Sequence, residues 1–192
     1  MEPGQSFHIY NHANGMENIF REDENYRFFL QQYAKYLDGV VDTYAFCLMP
    51  NHFHLLVGVK DHTSLALTFP KFETLEKLVS KQFSNFFSSY TQSFNKVYER
   101  RGSLFKKNFK RTPIRDKRQW QEAFLYIHLN PVKHGFVENQ CDWKWSSWHA
   151  YQQIGKPSNV DRTYYRNFFD GWDHVKHVME MKKEWLINRQ LE

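Results

Sequence analysis

Hydrophobic and polar positions change rhythm several times along the chain, and each change marks an element. Phe7-His8-Ile9-Tyr10 reads as a short strand, ended by the turn-prone stretch from Asn11 to Gly15. Asp23 is placed to cap a helix in which Tyr26, Phe29, Leu30, Tyr33 and Leu37 recur at three- and four-residue spacing, and Gly39 ends it. Val40 to Met49 and His52 to Val59 are β-branched, apolar runs. With Pro50-Asn51 between them they predict a β-hairpin. A longer helix is predicted from about Pro70 to Tyr98, with Leu75, Leu78, Val79, Phe83, Phe86 and Phe87 on its buried stripe. Thr112 to Ile114 reads as a short strand. Gln119 to Leu129 reads as a helix stopped near Asn130, because Pro131 disfavours helical geometry in the residue before it. Beyond Trp143 the chain is tryptophan-rich, and Trp172 to Asn188 predicts a last helix. The order strand–helix–strand–strand–helix–strand–helix predicts an α+β fold with a ferredoxin-like antiparallel sheet and helices packed against it. Residues 1–150 are expected to form the main unit, and 151–192 a C-terminal helical extension of it.

A chain of 192 residues suffices for one domain with a substantial core. Its 41% hydrophobic and 24% charged residues exclude wholesale disorder. The 18 Phe, 11 Tyr and 6 Trp can build a core or stack on bases, and composition does not choose between the two. Cys47 and Cys141 are too few for a disulfide framework or a zinc-ligand pair, so a reduced compartment is expected. Met1 to Gln5 has no basic stretch leading into an apolar run, so no secretory signal is visible. Apolar runs such as Leu55-Leu56-Val57 fall short of the roughly 18 residues a membrane helix needs. A soluble, cytoplasmic protein with no membrane partner is expected.

Charge changes this picture. The formal charge is +5, yet the ten bases between Lys96 and Arg118, opposed only by Glu99 and Asp116, make that window +8 and leave the rest at −3. Arg100, Arg101, Lys106, Lys107, Lys110 and Arg111 are interleaved with Tyr98, Phe105 and Phe109, the residue types of a surface that tracks phosphates and stacks bases. A solvated basic loop between two elements accounts for the same pattern equally well.

Two segments carry candidate chemistry. In Met49-Pro50-Asn51-His52-Phe53-His54-Leu55-Leu56-Val57, strand alternation points His52 and His54 to one face, about 7 Å apart along the strand, and Phe53 and Leu55 to the other. Two imidazoles so placed can share a divalent ion with a third ligand, although two surface histidines on a half-buried strand are the commoner meaning. In Phe124-Leu125-Tyr126-Ile127-His128-Leu129-Asn130-Pro131, helical spacing stacks Tyr126 and Asn130 on one face, with Glu122 a turn earlier, while His128 projects elsewhere. A phenol beside a carboxamide suits a nucleophile next to a metal ligand. A core tyrosine with a helix-ending asparagine is the plainer alternative.

Taken together, these segments resemble the single-tyrosine HUH transposases of the insertion-sequence-200-like and REP-associated kind. The resemblance runs through the Phe7 strand, Asn18-Ile19-Phe20 leading to Tyr26, and Cys47-Leu48-Met49-Pro50-Asn51-His52-Phe53-His54. It continues in Arg101-Gly102-Ser103-Leu104-Phe105, Tyr126-Ile127-His128-Leu129-Asn130-Pro131 and Trp145-Ser146-Ser147. It implies a metal-dependent endonuclease and strand transferase acting on single-stranded DNA with hairpin structure. By similarity, His52 and His54 would be metal ligands, Asn130 would complete the shell, and Tyr126 would attack phosphorus to leave a 5′-phosphotyrosine and a free 3′-hydroxyl. A phenol is mostly protonated at neutral pH and needs such help.

Ligand type alone suggests zinc, nickel or copper, whereas the resemblance implies Mg²⁺ or Mn²⁺, which is the expectation adopted. The six bases named above would grip the phosphates. Relatives more often carry an arginine after the first strand, where this chain has His12. Glu122 has no assigned role. Family members place the tyrosine at their own or a partner's metal site, so a homodimer is one expectation. The alternatives are a domesticated hairpin-binding protein that no longer moves DNA, and a metal-dependent phosphohydrolase that uses water and ignores Tyr126.

Overall fold

The computed structural model describes residues 1–61, 63–65 and 74–190. Strands β1 (Ser6–His12), β2 (Val41–Met49), β3 (His52–Val59) and β4 (Lys110–Ile114) form one antiparallel sheet in the spatial order β2-β3-β1-β4. Helices α1 (Asp23–Leu37) and α2 (Leu75–Val97) complete a βαββαβ unit and pack on each other. After it come α3 (Lys117–Lys133), α4 (Trp148–Gln152) and α5 (Trp172–Gln190). This is the ferredoxin-like α+β arrangement that the element order predicted.

The sheet is covered on both faces. Antiparallel sheets commonly leave one face to water, but β3 is buried at all eight of its positions. Phe53, Leu55, Val57 and Val59 join Phe7, Ile9, Phe29 and Phe86 in one core under α1 and α2. Leu56 joins Ala45, Cys47, Met49, Trp120 and Phe124 in a second core under α3. Of the predicted stripe on α2, Leu78, Val79, Phe83 and Phe86 are buried and Phe87 is half-buried. Pro70 and the side chain of Leu75 lie outside the described residues.

Several boundaries differ from the sequence expectation, each for a local reason. Glu22, not Asp23, is the N-cap of α1, and Asn25 Oδ1 reaches back to accept the backbone N–H of Arg21 (2.8 Å) and Glu22 (3.3 Å). β4 starts at Lys110 rather than Thr112, pairing Lys110 with Tyr10 and Ile114 with Ser6 at the sheet edge. Exposed bases and Pro113 are what a protected edge strand carries, and such residues mask a strand's signature in sequence.

The helix carrying Tyr126 begins earlier and ends later than expected. Asp116 caps it by accepting from the Gln119 N–H at 2.8 Å. It then runs through Pro131 to Lys133 instead of stopping at Asn130. Pro131 has no N–H to donate to the Ile127 carbonyl, and the helix carries that one missing bond in its last turn. Gly135, at φ +69°, then closes the end, with Phe136 N–H donating to Pro131 O (2.9 Å) and Gly135 N–H to Val132 O (3.0 Å). That pair of bonds is a Schellman cap.

The Trp145-Ser146-Ser147 segment lies along the outer edge of β2. Leu48 N–H donates to Trp145 O (2.9 Å) and Ser147 N–H to Phe46 O (3.0 Å), while the Trp145 ring stacks on Tyr26 at 4.6 Å. The edge left open by the four-strand order is thereby paired. Among the described residues, no helix is long and apolar enough to cross a membrane.

Candidate active site

The turn between β2 and β3 is braced from outside the hairpin. Pro50 O accepts the N–H groups of Ile19 (2.8 Å) and Phe20 (3.0 Å), and Asn51 O accepts that of Ala13 (2.7 Å). The Asn18-Ile19-Phe20 stretch thus fixes the backbone immediately before His52. The Asn51 side chain continues the work, with its Oδ1 lying 2.7 Å from His52 Nδ1.

From that fixed start, alternation carries His52 and His54 to the face under α3. The register with β1 pairs His12 with His52 and Tyr10 with His54, so His8, Tyr10 and His12 share this face. His12 stacks on His52 with ring centroids 4.8 Å apart. His8 Nε2 lies 3.0 Å from His54 Nδ1, and the Tyr10 ring is 5.5 Å from that of His54. Above them α3 presents Tyr126, with its ring 5.3 Å from His54 and 6.0 Å from His8. One turn on, Asn130 Oδ1 is 2.9 Å from His52 Nε2. Lys133 Nζ stands 4.8 Å over the Tyr126 ring, and His134 lies 5.2 Å from His52.

The fold therefore brings His52, His54, Tyr126 and Asn130 together within one chain. His52 and His54 are not surface histidines: each is 4% exposed. The structure adds His8, His12, His134 and Lys133, which motif reading did not assign to the site. A signal for two of them was present in the alternation His8-Tyr10-His12, legible once β1 is known to pair with β3 rather than β2.

Burial keeps these imidazoles neutral. Loss of hydration lowers His8 and His52 to about 4, opposed in His52 by the Asn130 contact, and it drives His54 well below the usual histidine range. His12 and His134 are lowered chiefly by the same cause, with the Lys106 and Lys133 charges adding to it. A neutral imidazole has one N–H and one lone pair. His52 Nδ1 lies against Asn51 Oδ1 and its Nε2 against Asn130 Oδ1 at 2.9 Å, while the buried Asn130 Nδ2 has no partner. Two neutral imidazoles and an amide oxygen this close together form a donor set that fits a metal ion held by His52, His54 and Asn130. Among the described residues, no three His, Cys, Asp or Glu side chains form a metal-binding group, and Asn130 Oδ1 is an amide oxygen within reach of His52.

The other residues singled out in sequence sort by position. Glu122 is paired with Lys182 of α5 at 2.7 Å. His128 is fully buried, with Nδ1 2.9 Å from Phe124 O and Nε2 2.8 Å from Ser147 Oγ. Ser147 Oγ also accepts the Phe46 N–H at 2.8 Å, which latches α3 to β2.

Among the bases, Lys110 lies opposite Tyr10 on the histidine face. Arg111 lies opposite Ile9 on the other face, 5.9 Å over the Phe109 ring. Lys106 donates its N–H to His12 O at 2.9 Å, and Arg101, Lys106 and Lys107 are exposed. Arg100 is different. Its guanidinium meets Glu17 at 2.6 Å and Asn95 Oδ1 at 2.5 Å, and its side chain is 14% exposed.

No protein-family model matches the chain. A curated Haemophilus influenzae protein named "Putative REP-associated tyrosine transposase" is 32% identical over 111 residues, which is 56% of this chain and 59% of that protein. The aligned part thus spans little more than half of that relative's length. A solved structure described as a REP-associated tyrosine transposase bound to a REP hairpin superposes with a TM-score of 0.58 at 20% identity, covering 85% of this chain and 89% of the other. That likeness shows a common fold. In sequence and in fold, the chain is similar to the REP-associated tyrosine transposases.

Proposed function

We propose that the chain is a metal-dependent endonuclease and strand transferase that acts on hairpin-bearing single-stranded DNA through a covalent tyrosine intermediate. The reading rests on one observation above all. Tyr126 stands 5.3 Å from the His54 ring, with Asn130 one turn further on against His52.

In the proposed step the Tyr126 oxygen forms a bond to phosphorus and the bond from phosphorus to the 3′-oxygen breaks. The phenolic proton is lost and the departing 3′-oxygen gains one, so the products are a 5′-phosphotyrosine and a 3′-hydroxyl. Phosphoester bonding is conserved, which lets a 3′-hydroxyl reverse the step without ATP. Lys133, over the Tyr126 ring, places positive charge where phenolate and phosphate meet. Lys110 on the same face and Lys106 beside His12 extend that field along the incoming strand. His52, His54 and Asn130 would hold a Mg²⁺ or Mn²⁺ ion, which would supply polarisation of the scissile phosphate and charge neutralisation at the leaving oxygen. His8 and Asn51 hold the two ligand rings in place from their other nitrogens. Tyr126 lies beside the histidines of its own chain, so the reading needs no second subunit.

The deciding experiment incubates the protein with hairpin-bearing single strands and Mn²⁺, then looks for a protein–DNA adduct on a denaturing gel. The adduct is expected with the wild type and absent with Tyr126→Phe or with chelator. An adduct that survives Tyr126→Phe overturns the nucleophile assignment. Cleavage without adduct indicates a phosphohydrolase, and binding with neither indicates a hairpin binder.

A further inference from the structure

On the far side of the basic loop from Tyr126, α2 and residues 103–109 enclose a groove of about 570 Å³. Its floor is aromatic: Phe87, Phe105 and Phe109, with Phe87 5.3 Å from each of the other two rings. Phe105 is buried, whereas Phe87 and Phe109 are half-buried and reach the open side. One wall is a hydroxyl and amide stripe on α2, where Ser84, Ser88, Thr91 and Gln92 fall at helical spacing on one face. The opposite lip carries Lys106, Lys107 and Asn108, all exposed, and Arg111 lies over the outer ring of Phe109.

We propose that this groove holds an unpaired nucleobase of the DNA strand that also occupies the Tyr126 site. The proposal rests on the DNA-transferase reading and deepens it by naming where a base beyond the scissile phosphate is held. Three features point to that occupant. Flat apolar rings suit a base face, and flanking bases suit the phosphates on either side of it. Hydroxyl and amide groups on the wall suit a base edge. Cations at the lip speak against an apolar or basic peptide as the occupant.

Continuity with the site is built into the backbone. Lys106 N–H donates to His12 O at 2.9 Å, Asn11 Nδ2–H donates to Lys106 O at 3.1 Å, and Ala13 pairs with Phe105. The lip of the groove is thereby tied to the end of β1 that carries His12 against His52. The glycine-like backbone at Asn108, with φ +62°, turns the loop so that Lys107 and Phe109 flank the opening together.

The test measures affinity for a fluorescent twelve-thymidine strand and for an abasic strand of the same length, both at 50 mM salt. All proteins carry Tyr126→Phe, so covalent chemistry cannot contribute. Ser88→Leu fills the groove without changing charge, and Phe109→Leu removes a ring while keeping most of its volume. Each is expected to weaken thymidine-strand binding by about 5- to 150-fold, the worth of one stacked base. Abasic binding is expected to stay within about twofold. Lys107→Gln is expected to weaken both strands alike and to lower the salt slope by about 0.7.

Equal losses on both strands, or no loss on either, from Ser88→Leu or Phe109→Leu overturn the proposal, as does a Tyr126→Phe background that does not prefer the thymidine strand. Should Phe109→Leu fail to fold, Ser88→Leu carries the test alone. Failure of the Tyr126 adduct assay would leave this binding result standing, so the two readings fail separately.

Discussion

Acid sensitivity offers a sharp quantitative test of how α3 is anchored. His128 is fully buried and burial lowers it to about 3, against 6.5 in an unfolded chain. Phe124 O can only accept, so Nδ1 carries the proton and the neutral Nε2 receives the Ser147 hydroxyl. Above about pH 6.5 the ring is neutral in both states and costs nothing. Below it the unfolded chain binds a proton that the folded chain refuses, so stability is lost as pH falls from about 6.5 toward 3. The linkage amounts to about 2 kcal/mol at pH 5 and approaches about 5 kcal/mol once the pH is below both values. His128→Gln keeps a polar side chain and removes the titration. Urea unfolding of both proteins at pH 7 and pH 5 isolates the effect, because the other histidines cancel in the difference. The variant starts out less stable at pH 7, and its deficit is expected to shrink by about 2 kcal/mol at pH 5. A deficit that does not change with pH would refute the claim that His128 folds as a buried neutral ring.

Other consequences are equally direct. His8→Phe removes the partner of His54 Nδ1 and is expected to weaken Mn²⁺ binding about 10- to 100-fold in calorimetric titration. Unchanged affinity would remove His8 from the site. Gly58→Ala would put a Cβ 2.2 Å from the Tyr44 hydroxyl, and Tyr44 is held by Tyr164 stacked at 4.1 Å. A stability loss of about 1–3 kcal/mol is expected, partly recovered by adding Tyr44→Phe, as read by thermal unfolding. Arg100→Gln is expected to lower the melting temperature while leaving the salt slope of DNA binding unchanged, because its charge is spent on Glu17 and Asn95. A lowered slope would show that Arg100 touches phosphate. Asp116→Ala is expected to cost about 1 kcal/mol through loss of the Gln119 cap, with no effect on metal binding.

How far this site can be read from sequence depends on where the geometry is stored. The pair His52 and His54, and the pair Tyr126 and Asn130, each lie within one element, so the strand period of two and the helical spacing of four place them correctly without a structure. The βαββαβ order was legible for the same reason, since long periodic segments announce themselves. His8, by contrast, enters the site through register. It reaches His54 only because Tyr10 pairs with His54, and no local pattern encodes which strand becomes a neighbour. His134 and Lys133 were hidden by the assumption that Pro131 ends the helix. The Schellman cap at Gly135 extends it by a turn and swings both residues over the site.

Arg100 shows what a charge run does not encode. A charge run in sequence counts all its members alike, but an arginine within reach of a half-buried carboxylate becomes a brace, and only partner geometry tells it from Lys107. The fold therefore divides the +8 window among a brace at Arg100, a Lys110 on the histidine face, a groove lip at Lys106 and Lys107, and an Arg111 over the Phe109 ring. Most rings, Phe105 among them, fill the two cores, while Phe87 and Phe109 are half-buried at the floor of an open groove beside Lys106 and Lys107, the surface proposed to receive a base.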